Sequence, residues 1–215
     1  MSKSNQINKK NKQTLQALTN LMEDLGQKYS IRVGIIGENA SQKHPDSGLT
    51  NAELGAIHEF GATINVTPKM RAYLHHIGIH LKESTTTVVI PTRSFLRMPL
   101  LSGEFKEYLY SQIGLYDSND FGTGKESKQK AREQNLDVAL LKLDENPHII
   151  EKIANWVAAE ALARVQDAFE SGGLGKWEPI SEVTKKNRLY DKSSPPLTDS
   201  GELRNSITAE VKKVE

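Results

Sequence analysis

The sequence predicts an α+β fold: a small mixed or antiparallel sheet packed against one long helix, with several shorter helices. Three observations lead there. Between Asn146 and Gly173 the apolar residues Ile150, Ile153, Val157, Ala161, Val165 and Phe169 recur at steps of three and four, a longer stripe than any other in the chain. Four short stretches alternate apolar with polar residues or cluster β-branched ones, as strands do. Strand-like and helix-like stretches interleave, but the strands are too few for a doubly wound sheet.

Residues 1–11 are polar and rich in Lys and Asn, a flexible N-terminal arm, which leaves 12–215 as a single domain. Leu15, Leu18, Met22 and Leu25 make the stripe of a first helix over 12–28. Ile31, Val33 and Ile35 alternate in a strand, and residues 39–49 (NASQKHPDSGL) have the composition of a loop. Thr50-Asn51-Ala52-Glu53 is a capping box, in which the hydroxyl accepts from the third amide of the helix while the carboxylate reaches back. The helix it opens has Leu54, Ile57 and Phe60 as its apolar edge, and Gly61 supplies the left-handed residue that ends it. A short strand at 64–66 follows. Thr67 and Pro68 stand as N-cap and first residue of a second helix, with Met70, Leu74, Ile77 and Leu81 along one side.

TTTVVIP is a strand stopped by Pro91. Residues 92–114 are helical in tendency, with a break at Pro99 and Gly103. Residues 116–135 are the most polar run, an exposed excursion that extends as a helix to Leu143 and occupies about 116–145. Asn146-Pro147 opens the long helix in cap-then-proline order, and at 1.5 Å per residue it spans roughly 35 Å. The tail holds a turn, a short helix, a loop around Pro195-Pro196, a capped turn from Asp199 and a last strand in which Ile207, Ala209 and Val211 alternate. There is no internal repeat.

Composition limits the function. The chain has 215 residues, 37% hydrophobic and 26% charged, as ordinary soluble proteins have, and its net charge of +1 exerts no global pull toward nucleic acid or anionic membrane. Without cysteine, disulfides and thiolate-bound metals are excluded. No apolar run approaches a membrane span and the N-terminus lacks the apolar core of a signal peptide, so no membrane partner and synthesis in the cytoplasm are expected.

His58-Glu59, just ahead of Phe60-Gly61, is the first place to look for chemistry. A zinc-protease helix needs His-Glu-x-x-His so that two imidazoles share a face, and Ala62 stands where the second His belongs. One acid beside one imidazole, with no nucleophile, points to structure: a His in the last turn, its positive charge against the negative end of the helix dipole. His76 and His80 have the spacing of two ligands on one helical face, yet two are too few for a closed metal site. Gly122-Thr123-Gly124-Lys125 lacks the flanking residues of a phosphate loop, and Lys125, Lys128, Lys130 and Arg132 are diluted by Glu126 and Glu133. No nucleophile elbow or dinucleotide fingerprint appears. No catalytic, metal or cofactor site is expected, and no enzyme.

Three segments, "AELGAIHEFGA" (52–62), "IPTRSFLR" (90–97) and "PPLTDSGELRNSI" (195–207), occur in this order. Together they resemble the tail-completion and virion-morphogenesis proteins of tailed bacteriophages, the group that includes minor tail protein Z-like proteins. The family pattern runs A-x-x-x-E-F-G, then I-P-x-R-x-F-L-R, then L-x-D-T-G-x-L-x-x-S-I. Glu59, Phe60 and Gly61 match the first; Ile90, Pro91, Arg93, Phe95, Leu96 and Arg97 the second; Leu197, Asp199, Gly201, Leu203, Ser206 and Ile207 the third, with Ser200 in place of Thr. "WEPISEVT", opened by Trp177, resembles the family's W-x-P-L-S-x-x-T. The likeness covers most of 31–211 and leaves out the first helix and 116–145.

The resemblance implies a structural protein of the virion neck: a ring, sixfold, that completes the tail and helps join it to the DNA-filled head. Its implied partners are further copies of itself, neck and tail proteins such as the tail terminator and head–tail connector, and channel DNA contacted without sequence specificity. A tail terminator or another connector is the near alternative. A nucleic-acid-binding module using the Lys-rich arm and 125–132, or a hydrolase around His58 and Glu59, are alternatives of other classes. On the structural reading, His58 and Glu59 shape a helix end with Phe60 and Gly61, and Pro91 stops a strand so that Ser94 can cap the next helix. Arg93 and Arg97 stand one helical turn apart to pair with carboxylates, within the chain or on a neighbour. Asp199 and Glu202 form a second capping pair.

Overall fold

The computed structural model describes residues 20, 23–44, 48–116, 147–188, 190 and 192–214. The arm at 1–11, much of the helix expected over 12–28, the excursion apart from Tyr116, the Lys and Arg residues of 125–132 and the Asn146 cap lie outside them. The fold is α+β, with two-stranded sheets, one long helix and several short ones. In chain order the elements are β1 (Tyr29–Gly34), α1 (Glu38–Ser41), α2 (Asn51–Phe60), β2 (Ala62–Asn65), α3 (Pro68–His76) and β3 (Thr87–Ile90). There follow α4 (Arg97–Leu100), α5 (Gly103–Tyr116), α6 (Pro147–Glu170), α7 (Glu182–Lys186), α8 (Glu202–Asn205) and β4 (Thr208–Lys213). Among the described residues no helix is long and apolar enough to cross a membrane.

The strands form two separate pairs, β1 with β4 and β2 with β3. In the second pair Ala62 faces Ile90 and Asn65 faces Thr87, an antiparallel register. In the first, Val214 N–H donates to the Lys28 carbonyl beyond one end and Arg32 meets Glu210 further in, so these strands also run in opposite directions.

The chain divides into two compact units, one of residues 1–32, 102–160 and 209–215, the other of 33–101 and 161–208. In the first, Ile150, Ile153 and Ala154 of α6 are buried with Leu25 and Tyr29, and Ile31 and Val211 of the sheet pack against them. Ile150 and Ile153 are the first part of the stripe legible in the sequence. In the second unit Phe95, Val165, Phe169, Leu203 and Ile207 form the core, joined by Val33, Ile35, Leu54, Leu96, Trp177 and Leu197.

Local signals in the sequence hold where the chain closes its own hydrogen bonds. The capping box at Thr50 and Glu53 is formed on both sides, and Thr67 accepts from the Met70 amide ahead of Pro68. The expected break after the second motif separates α4 from α5. Several expectations are corrected. Residues 39–41 of the expected loop belong to a helical turn, Glu38–Ser41, and Lys43 bridges Thr50. The second helix stops at His76, so Leu81 and His80 are not on it. Beyond it Arg71 donates to the carbonyls of Leu81, Lys82 and Thr85, holding the return to β3. The apolar edge of α2 is as expected only in part: Leu54 packs against the core, but Phe60 is 62% exposed, and the fully buried residues are Asn51, Gly55 and Glu59.

Candidate functional site

Helix α2 presents Asn51, Gly55 and Glu59 to the interior, four residues apart and so on one face. The last of these carries a buried carboxylate, and the stretch from Ser94 to Arg97 closes around it. Its Oε2 accepts from the Phe95 N–H at 2.8 Å and the Leu96 N–H at 2.9 Å. Its Oε1 accepts from the Ser94 hydroxyl at 2.7 Å and from the Arg97 N–H and Nε at 3.0 Å each. These amides open α4, where a helix leaves N–H groups without partners and favours negative charge. Ser94 also accepts from the Met98 N–H at 2.9 Å, but it is not the expected cap: Leu96 stands at the N-cap of α4 with no side-chain cap, and Glu59 of another helix takes the amides.

Two segments distant in the chain are thus joined by one anion. Further bonds tighten the joint: Arg97 Nη2 donates to the Glu59 carbonyl at 3.2 Å, Thr92 Oγ1 to the Phe60 carbonyl at 3.1 Å, and the Arg93 N–H to the His58 carbonyl at 2.7 Å. The Arg97 guanidinium lies 4.4 Å from the centre of the exposed Phe60 ring, a cation–π contact. Gly61 has φ 75° and ψ 168°, a positive φ as expected, though its ψ is extended rather than left-handed helical. A Cβ there would meet Thr92 Oγ1 at 2.9 Å and the Ile90 carbonyl at 3.0 Å, so the β2–β3 crossing leaves room for glycine alone.

The other segments of the resemblance arrive on the far side of Phe95, which is fully buried. Its ring lies 5.1 Å from that of Phe169, which meets Trp177 edge-on at 5.8 Å. Trp177 Nε1 donates to the Ser94 carbonyl at 3.3 Å. Gly173 has φ 74°, and a Cβ on it would fall inside the Trp177 indole. Leu203 and Ile207 are buried in the same core, Leu197 packs against it with φ 68°, and the buried Ser206 donates to the Leu203 carbonyl at 2.7 Å. Pro91 follows β3, exposed, and Leu96 is half-buried at the N-cap of α4.

Three sequence expectations change here. Arg93 and Arg97 are not on one helix: Arg93 precedes α4 and is buried, while Arg97 starts it and takes the intrachain partner, Glu59. Asp199 and Glu202 are not a capping box, because the N-cap of α8 is Gly201, with no side-chain cap; Asp199 accepts instead from the Tyr190 N–H at 3.1 Å. His58 is not a charged cap of the helix dipole: burial, then Arg93 and His44, push its pKa down to about 4, so it is neutral at pH 7.

Sequence reasoning missed Arg188, which is buried and donates to the Ser194 and Pro195 carbonyls ahead of the closing motif. It also missed Arg204, which reaches Gln166 and Glu170 on α6. No spacing rule marks either residue, because Arg188 serves loop carbonyls six and seven residues on and Arg204 serves side chains 38 and 34 residues back.

Chemically the site is a clamp. Burial raises the Glu59 pKa, but the Leu96, Ser94 and Arg97 donors outweigh it and hold the carboxyl below its usual range. A carboxylate already accepting five hydrogen bonds is a poor proton acceptor. His75 and His80 meet edge-on with ring centres 4.5 Å apart, and no group of three ligands that could hold a metal occurs among the described residues. Comparison of the chain with protein-family models, with curated proteins and with solved structures finds no match in any of the three.

Proposed function

We propose that this chain is a tail-completion subunit of a tailed bacteriophage, assembling as a ring, sixfold, at the head–tail junction and helping to join tail to head. One observation carries the reading. The segments whose order resembles that family meet around Phe95 and the Glu59 clamp, so they act as one folding unit rather than as scattered matches. The Glu59 carboxylate and the donors of Ser94 to Arg97 are spent on one another, which suits a subunit whose work is contact. The exposed apolar residues Phe60, Ile64 and Val89 on and beside the β2–β3 pair fit the mating surfaces a ring needs.

The test is direct. Electron microscopy of the purified full chain is expected to show closed rings, and labelling of particles of the phage that encodes it is expected to mark the neck. A chain that stays monomeric at high concentration and is missing from the particle sinks the proposal. A label at the tail-tube end rather than at the neck's completion ring moves the role to that of a terminator.

A further inference from the structure

Arg93 joins the clamp only through its backbone N–H, and its side chain, in the same unit, takes no part in the bonding around Glu59. It is 8% exposed. Its Nη2 donates to the Glu178 carbonyl at 3.2 Å, and its Nε is buried with no hydrogen-bond partner. Among the described residues no carboxylate forms an ion pair with it. Next to it, tied by the backbone hydrogen bond from Arg93 N–H to its carbonyl, His58 also has a buried ring nitrogen, Nδ1, without a partner. Burying a guanidinium without a counter-charge is costly, and an orphaned buried donor calls for an explanation, of which a missing ion is one.

We propose that Arg93, with His58 beside it, forms an oxyanion site for a carboxylate or phosphate group brought by a second molecule. A guanidinium presents its donors as a planar fork that two oxygens of such a group match. His58 adds a donor when its proton is on Nδ1. The charged and titratable groups felt by the pair are Arg188 and His44, which add positive potential, and Glu178, which opposes it. The site does not rest on the ring reading: a free ion fills it in an isolated subunit, and a carboxylate of a second copy fills it in an assembly.

The probes are inorganic phosphate and acetate, titrated at pH 7 into the full chain at constant ionic strength set with chloride. Thermal unfolding is expected to rise in temperature with either anion in the wild type, as ligand binding to the folded state requires. Arg93→Met, which keeps bulk without charge, is expected to bind phosphate roughly tenfold or more weakly. Nitrogen NMR of His58 in the wild type gives a readout that needs no variant to fold: bound anion is expected to raise its pKa from about 4. Sedimentation separates the sources. Phosphate binding to a monomer identifies a free ion, whereas self-association that phosphate reverses, and that Arg93→Met lacks, identifies a carboxylate of another copy. An equal thermal response in wild type and Arg93→Met is general salt stabilisation and overturns the proposal. So does a wild type that answers neither anion by unfolding temperature or by His58 shift.

Discussion

Glu59 is ionised inside the fold because helix-opening amides and an arginine replace the water it loses. Hydrogen bonds to a charged group contribute about 1.5–3 kcal/mol each at most, and they are coupled here. Glu59→Gln turns one acceptor oxygen into a donor facing N–H groups, and it is expected to lower urea-unfolding stability by about 2–4 kcal/mol. Arg97→Ala removes a half-exposed partner and is expected to cost about 1 kcal/mol or less. The neighbouring His58 sets a pH dependence. With its folded pKa near 4 and a usual value of 6.5, it costs nothing above pH 6.5, and stability falls as pH drops toward 4, by on the order of 3 kcal/mol in all. The Glu59 contribution is present above its ordinary pKa of 4.5 and is lost only as pH falls below that value. His58→Gln is therefore expected to flatten the stability profile between pH 6.5 and 4 and to leave the steeper acid limb. Unchanged slopes in that window would refute the assignment.

At the scale of the element, α2 shows why part of the site was hidden. Apolar periodicity put Leu54, Ile57 and Phe60 inside; Leu54 does pack against the core, but Phe60 is exposed and the fully buried face carries an amide, a glycine and a carboxylate. A hydrophobic stripe reports burial in apolar surroundings, whereas Glu59 is buried against N–H donors and Asn51 donates to the Asn39 carbonyl, partners that no periodicity reveals; only Gly55 lies against apolar groups, Ile35 and Phe95. Caps were legible because each is closed within four residues. Thr67→Ala is expected to destabilise α3 by about 1 kcal/mol, read as a lower urea midpoint at unchanged slope. Gly61→Ala combines a positive φ with contacts at 2.9 and 3.0 Å, and a loss of about 1–3 kcal/mol in the same assay is expected.

At the scale of the whole molecule, the two compact units each have a buried apolar cluster. Phe95→Ala should cost about 3–5 kcal/mol, because Phe169 and Trp177 lose the ring they pack around. Val89, 68% exposed on β3, marks the opposite kind of position. Val89→Ser is expected to change stability by less than about 0.5 kcal/mol while weakening self-association in sedimentation. Loss of stability without loss of assembly would remove that strand from the mating surface.

By itself the sequence determined the α+β class, the interleaving of elements, the long buried stripe of α6 and the two Thr caps, because periodicity and capping depend on neighbours a few residues apart. The motifs of the resemblance include Glu59, Phe95, Arg97 and Trp177, and say nothing of how these residues are placed. Only the tertiary structure decided how: Glu59 is a clamp on α4, Arg93 is buried apart from Arg97, and His58 is neutral. Those outcomes turn on groups tens of residues away in the chain, whose amides, charges and desolvation act on a side chain only after folding has brought them within a few ångströms.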